Sequence, residues 1–229
     1  MADRRTVVFV HGAWGGASDW DLVVEELADE PIDVIALDLP TSQHADATLA
    51  DDVAHLQRTL AGVAGPVTLC AHSYGGAVIT EGSPTAGPVD HLIYLAAFMP
   101  KVGDTVLGVG SERPTENGLD LEFRDDGTSM IKVWPREDGS YTDAAVEFMR
   151  ARPRNWWAVA AAVTPIEHEA WRQIASTYII ATRDAVSHPE TQREMASRAT
   201  RVIELDSNHM AQAEFAAEIA AVVLGDPPP

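Results

Sequence analysis

Short apolar runs alternate with segments of helical periodicity along most of this chain. Continuous apolar runs rich in β-branched residues are typical of strands buried on both faces of a sheet. Such runs predict strands over 6–10, 33–37, 67–70, 91–97, 177–181 and 201–205. Strands that alternate with helices form a mostly parallel sheet covered on both faces, so we predict an α/β fold with a six-stranded sheet.

The spacing of apolar residues between these runs predicts helices. Val53, Leu56 and Leu60 share one face of a segment over 49–60, because residues three or four apart lie on the same side of a helix. Ser18 or Asp19 is a candidate N-cap for the first helix. Further helices are expected over 20–28, 142–150, 190–199 and 213–224.

The regular alternation stops between residues 100 and 174. A hairpin is predicted there, since 121–123 and 130–133 flank the turn signal Asp125-Asp126-Gly127. Long insertions of this kind are usually functional. We therefore predict a core formed by residues 1–99 and 175–229, and a lid formed by residues 100–174.

A glycine-rich turn follows the third predicted strand, with the sequence Ala71-His72-Ser73-Tyr74-Gly75-Gly76. A small residue two positions before the serine and Gly75 two positions after it fit a strand-to-helix turn that is too tight for large side chains. This is the G-x-S-x-G nucleophile elbow, with Ala71 in place of the first glycine. The pattern predicts Ser73 as a nucleophile.

A serine nucleophile needs a base to take its proton and an acid to orient that base. His209 follows the last predicted strand, and Asp184 follows the strand before it. Parallel strands place their carboxyl ends at one edge of a sheet, so both side chains are expected close to Ser73. The order Ser73, Asp184, His209 is the one this fold class uses. Asp104 and Asp206 remain alternatives for the acid.

The oxyanion of a tetrahedral intermediate needs preorganised donors. The N–H of Tyr74 is one candidate, because Tyr74 follows the nucleophile in the elbow. The N–H of Ala13 is the other, in the glycine-rich loop over 11–16 after the first strand.

Composition and charge limit the partners. The 229 residues carry 35 acidic and 16 basic side chains, for a net charge of −19. Nucleic acid and anionic membrane surfaces would repel such a chain, so neither is an expected partner.

Cys70 is the only cysteine, which excludes an internal disulfide and a multi-cysteine metal site. The histidines lack metal-ligand spacing, so we expect no metal site. No segment approaches the roughly 20 apolar residues of a membrane span. A cytoplasmic protein is expected.

The motifs at His11-Gly12-Ala13-Trp14, in the elbow, at Thr182-Arg183-Asp184 and at His209-Met210 resemble those of the α/β-hydrolase superfamily. The resemblance is to small, lidded carboxylesterases related to plant methylesterases and hydroxynitrile lyases. It implies a Ser-His-Asp esterase that acts through an acyl-enzyme without a cofactor.

Two positions separate esterases from lyases within that group. Hydroxynitrile lyases of this type carry threonine after the first histidine and lysine after the catalytic histidine. This chain has Gly12 and Met210 there, which favours ester hydrolysis. The resemblance departs at Ser207-Asn208, where relatives often have glycine or aspartate beside the histidine.

Aromatic and sulfur-containing residues in or beside the predicted lid indicate an apolar pocket wall for an uncharged ester of small or medium size. The candidate substrate-binding residues are Trp14, Phe98, Met99, Trp134, Trp156, Trp157 and Met210. Two alternatives to an esterase remain open: a lyase or cofactor-free biosynthetic enzyme that uses the His209–Asp184 pair as a base, and a noncatalytic small-molecule-binding protein. The sequence is also compatible with a homodimer.

Overall fold

A computed structural model of the chain describes residues 4–83, 89–113, 119–133, 141–152 and 155–225. Its strands are β1 Thr6–Val10, β2 Asp33–Leu37, β3 Val67–His72, β4 Val89–Leu95, β5 Leu121–Phe123, β6 Thr128–Ile131, β7 Trp157–Ala158, β8 Ala175–Ala181 and β9 Arg201–Leu205. Its helices are α1 Asp21–Glu26, α2 Leu49–Ala61, α3 Gly75–Gly82, α4 Val106–Ser111, α5 Asp143–Arg150, α6 Ala160–Val163, α7 Pro189–Ala196, α8 Ala211–Glu214 and α9 Ala216–Leu224.

The main sheet has six strands in the order β2-β1-β3-β4-β8-β9, and every adjacent pair is parallel. The predicted α/β fold is therefore confirmed. Strand β3 lies between β1 and β4, near the middle of the sheet, so the turn that follows it leaves the sheet at a fixed and well-supported position. The loops after β1, β3, β8 and β9 all leave from the same edge.

Alternate residues of the central strands enter two separate cores. In β1, Val7 and Phe9 pack into the core on one face, whereas Val8 and Val10 pack into the core on the other. This follows from the two-residue period of a strand. Both faces are covered, which explains why the central strands are continuous apolar runs.

The last predicted helix is divided in the structure. Helix α8 ends at Glu214 and α9 begins at Ala216, because Phe215 between them has φ −130° and ψ 43°, outside the helical region. The first helix also starts differently. Trp20 is the N-cap of α1, and neither Ser18 nor Asp19 supplies a side-chain cap for it.

A second, antiparallel sheet in the order β5-β6-β7 lies in the predicted lid. The hairpin of β5 and β6 forms where the turn signal predicts it. Gly127 has φ +83°, and the side chain of Asp126 accepts the N–H of Thr128. The third strand, β7, was not predicted. The division of the chain into a core and a lid stays a prediction.

Candidate active site

The elbow places Ser73 in a strained conformation directly after β3. Its φ is +51°, in a region that non-glycine residues rarely adopt. The next turn can pack this closely only because Gly75 lacks a side chain: a Cβ there would lie 2.6 Å from the carbonyl oxygen of Val10. The strain and the close approach together hold the Ser73 hydroxyl at the rim of the sheet.

Three side chains from three loops form a continuous hydrogen-bonded line. Nε2 of His209 lies 3.1 Å from Oγ of Ser73, and Nδ1 of His209 lies 2.7 Å from Oδ2 of Asp184. The imidazole is 6% exposed and Asp184 is 4% exposed. The structure thus brings together the predicted nucleophile, base and acid.

The Asp184 carboxylate is held by donors on both oxygens. Oδ1 accepts the backbone N–H groups of Val186 and Ser187, at 2.7 and 2.9 Å. Oδ2 accepts a 2.8 Å bond from the amide of Gln192, which is fully buried on α7. These bonds fix the orientation of the oxygen that faces His209.

The loop that carries His209 is fixed by its neighbours. The side-chain oxygen of Asn208 accepts the N–H of His209 and the N–H of Ala185, which ties this loop to the one that carries Asp184. Nε2 of His72 donates to the carbonyl oxygen of His209 at 2.9 Å. Asn208, one of the two residues at which the chain departs from the resemblance, therefore has a direct structural role.

Neither alternative acid contacts the imidazole. Asp104 accepts the N–H of Lys101, and Asp206 pairs with Arg183 at 2.9 Å with 82% of its side chain exposed. In the part of the chain that the structure describes, Asp184 is the carboxylate bonded to His209.

The two candidate oxyanion donors belong to different loops: Ala13 follows β1, and Tyr74 follows Ser73 in the elbow. Neither the Ala13 N–H nor the Tyr74 N–H donates to an acceptor among the described residues, so both are available to a ligand. The loop that contains Ala13 is pinned by His11, which accepts the N–H of Leu39 at Nε2 and donates from Nδ1 to the carbonyl of Gly12. This pair of bonds requires a neutral imidazole.

The side chain of Tyr74 contacts a group that the sequence analysis missed. Its hydroxyl donates a 2.6 Å bond to Asp52, a fully buried carboxylate on α2. Burial raises the pKa of Asp52 to about 6, against the lowering effect of bonds from Tyr74 and Thr41. Burial also raises the pKa of the Tyr74 hydroxyl well above its usual value, so it remains a donor.

A cavity of about 20 Å³ adjoins Ser73. That volume holds about one water molecule. It is lined by Gly12, Ala13, Trp14, Asp19, His72, Ser73, Leu119, Ile131, His209 and Met210. The predicted substrate-binding residues Trp14 and Met210 are therefore at the site.

The other predicted wall residues that the structure describes are not in the lining of this cavity. Trp157 packs edge-on against Trp14 and does not line the cavity. Met99 is fully buried, and neither Phe98 nor Trp156 is part of the lining. Their role in binding stays a prediction. The remaining candidate, Trp134, lies outside the described residues.

Two kinds of feature are absent from the described residues. The described part of the chain contains no group of three histidine, cysteine, aspartate or glutamate side chains arranged to hold a metal ion. Among those same residues, no helix combines the length and the apolar character that crossing a bilayer requires.

The fold is shared with several solved structures. A pyrethroid hydrolase from Sphingobium faniae superposes with a TM-score of 0.79 at 24% identity, over 96% of each chain. Polyneuridine aldehyde esterase gives a TM-score of 0.79 at 18% identity, over 97% of this chain and 98% of that one. A methylesterase from Arabidopsis gives 0.72 at 20% identity, over 96% and 97%.

Sequence comparison supports the same assignment. An alpha/beta hydrolase from Aspergillus novofumigatus, nvfD, is 25% identical over 218 residues, which are 85% of this chain and 84% of that protein. The sequence model of the alpha/beta hydrolase family matches residues 7–222. The resemblance inferred from the motifs is confirmed at this level: the chain belongs to the alpha/beta hydrolase family.

Proposed function

We propose that this protein is a serine hydrolase that cleaves carboxylic esters of small or medium hydrophobic molecules. The observation that carries the proposal is the line of hydrogen bonds from Ser73 through His209 to Asp184. Within this family, such a line activates a serine hydroxyl that would otherwise be a weak nucleophile.

In the first half of the reaction, Oγ of Ser73 forms a bond to the acyl carbon while its proton passes to Nε2 of His209. The carbonyl electron pair moves onto the oxygen, which the N–H groups of Ala13 and Tyr74 stabilise. Each such donor contributes about 3 kcal/mol in the transition state. Asp184 accepts the Nδ1–H and stabilises the imidazolium.

The tetrahedral intermediate then expels the alcohol, which takes the proton from Nε2 of His209 and leaves an acyl ester on Ser73. In the second half, a water molecule gives its proton to the same nitrogen and attacks the acyl carbon. The carboxylic acid leaves, and the hydroxyl of Ser73 is restored.

The lining of the cavity supports an uncharged substrate with an apolar group. Trp14, Leu119, Ile131 and Met210 present apolar surface beside the nucleophile. The solved structures that share this fold include two esterases and a pyrethroid hydrolase, which also supports a hydrolytic function.

Labelling by a fluorophosphonate probe together with turnover of p-nitrophenyl acetate tests this function. The wild-type protein should be labelled and should hydrolyse the ester. In Ser73→Ala both signals should disappear, because the nucleophile is gone; the fold should persist, which the circular dichroism spectrum checks.

Other outcomes identify the alternatives. Turnover that survives in Ser73→Ala would instead indicate base chemistry by His209 and Asp184. A wild-type protein that is neither labelled nor active would favour a noncatalytic binding protein.

A further inference from the structure

The side chain of Tyr74 is buried and lies away from the cavity beside Ser73. The ring is 1% exposed, and it is absent from the lining of the cavity beside Ser73. Its hydroxyl donates to Oδ2 of Asp52 at 2.6 Å. The side chain therefore connects the elbow to helix α2.

Asp52 is anchored in turn to the loop after β2. Oδ1 accepts the N–H of Thr41 at 3.0 Å, and Oδ2 accepts the hydroxyl of Thr41 at 2.7 Å. A fully buried carboxylate is costly unless donors satisfy it, so the three donors and the carboxylate hold one another in place.

The same short loop also anchors the other oxyanion donor. The N–H of Leu39 donates to His11 at 3.0 Å, and His11 holds the carbonyl of Gly12, the residue before Ala13. Leu39 and Thr41 are separated by one proline, whose φ is fixed. The loop over 39–41 thus supports both the segment that carries Ala13 and the segment that carries Tyr74.

The ring of Tyr74 is also packed from the side of the predicted lid. Trp157 of β7 contacts it edge-on, with ring centroids 4.9 Å apart. Trp157 also contacts Trp14, with ring centroids 5.4 Å apart. Trp14 has φ +61° and Ser73 has φ +51°. Strained residues of this kind persist only where their surroundings determine the conformation.

We propose that Asp52 is a positioning residue for the oxyanion hole, and that it acts through the hydroxyl of Tyr74 to fix the direction of the Tyr74 N–H. Asp52 contacts no substrate in this account. Its effect on the reaction comes from holding the donor group at the position where negative charge develops. The inference rests on the proposed function, because it needs an oxyanion to form beside Ser73.

The test compares two tyrosines that lose the same atom. Tyr74→Phe removes the bond to Asp52. Tyr94→Phe is the matched control, because Tyr94 of β4 is also fully buried, and its hydroxyl bonds to Thr80 of α3 at 2.9 Å and not to Asp52 or Thr41. Both changes delete one buried hydroxyl and one hydrogen bond, so a purely structural effect should be similar in the two variants.

The measured quantities are kcat and KM for p-nitrophenyl acetate and the inhibition constant of a trifluoromethyl ketone, which forms an oxyanion on the serine. Loss of a whole donor lowers kcat by roughly 10²–10³-fold, and a displaced donor should cost less. We expect kcat of Tyr74→Phe to fall about tenfold and the ketone to bind about tenfold more weakly, with KM unchanged.

A double-mutant cycle identifies the partner. Asp52→Ala should lower kcat as Tyr74→Phe does, and the double variant should show no additional loss, because the two side chains act as one unit. Asp52→Asn should keep most of the activity, since its amide group can donate to the hydroxyls that the carboxylate oxygen accepts from.

Equal kcat values in Tyr74→Phe and Tyr94→Phe would overturn the inference, as would additive losses in the double variant. Both results are distinguishable from a failure of the proposed function. If Ser73→Ala keeps full activity, the hydrolase itself is wrong; if Ser73 is essential and the two tyrosine variants behave alike, only the role of Asp52 is wrong.

Discussion

Two buried carboxylates flank the nucleophile elbow, and they differ in the groups that surround them. Asp184 accepts a bond from an imidazole, a side-chain amide and two backbone N–H groups. Asp52 accepts bonds from two hydroxyls and one backbone N–H, none of which becomes a cation. The pKa of Asp52 is raised to about 6 by burial.

The difference shows how the same functional group serves two purposes. Asp184 is bonded to a ring that gains a proton during the proposed reaction, so its charge is used in catalysis. Asp52 is bonded to groups that keep their protons, so it can only hold them in place. The partner, and not the carboxylate or its depth of burial, decides the role.

The largest expected effect is the loss of kcat when Asp184 is replaced. Asp184→Asn should lower kcat about 10⁴-fold, because an amide in this position favours the wrong tautomer of His209. The measurement is steady-state hydrolysis of p-nitrophenyl acetate at neutral pH. Asp104→Asn and Asp206→Asn are the controls and should stay close to wild type. A wild-type rate in Asp184→Asn would assign the acid to another residue.

A smaller effect is expected for Asp52, in the pH dependence of the free energy of unfolding. The pKa of Asp52 is about 6 in the folded chain and 3.8 as the ordinary value. Since the folded chain binds the proton more tightly, this group stabilises the fold below about pH 4. That contribution is lost as pH rises to about 6, and it amounts to about 3 kcal/mol.

Urea unfolding of wild type and Asp52→Asn between pH 4 and pH 7 measures this contribution. Asparagine has no charge to lose, so the free energy of unfolding of Asp52→Asn should increase relative to wild type by about 2.4 kcal/mol between pH 4 and pH 7, since the rest of the effect lies below pH 4. If the difference in the free energy of unfolding between the two proteins does not change with pH, Asp52 has the same pKa in the folded and unfolded states, which would contradict the prediction.

The sequence was sufficient for the main sheet and for the three side chains of the proposed triad. Strands buried on both faces are continuous apolar runs, and the candidate nucleophile, acid and base follow them at one edge of the sheet. Local geometry was harder. The apolar periodicity continues through Phe215, so periodicity alone predicted one helix over 213–224. The structure breaks this helix at Phe215.

Asp52 was missed although a signal was present. It lies three residues after Leu49 and four before Leu56, on the buried face of α2. A carboxylate on an apolar helix face indicates a buried partner. The identity of that partner, 22 positions away at Tyr74, depends on how α2 packs against the elbow, which no local pattern contains.

The pocket residues show the same limit. Trp14 and Met210 follow strands at the edge of the sheet that carries Ser73, and both line the cavity beside it. Phe98, Met99, Trp156 and Trp157 were selected by composition, and composition does not say which side of a residue faces a cavity. The lid boundaries, the location in the cytoplasm, the small-molecule ester partner and a homodimer stay predictions.

The most direct test of the central claim is to trap the acyl-enzyme. Wild-type protein mixed with p-nitrophenyl acetate and quenched in acid within the first turnover should carry one acetyl group, and peptide mass spectrometry should locate it on Ser73. Detection of the acetyl group on another residue, or turnover with no acetylated protein at any quench time, would contradict the account.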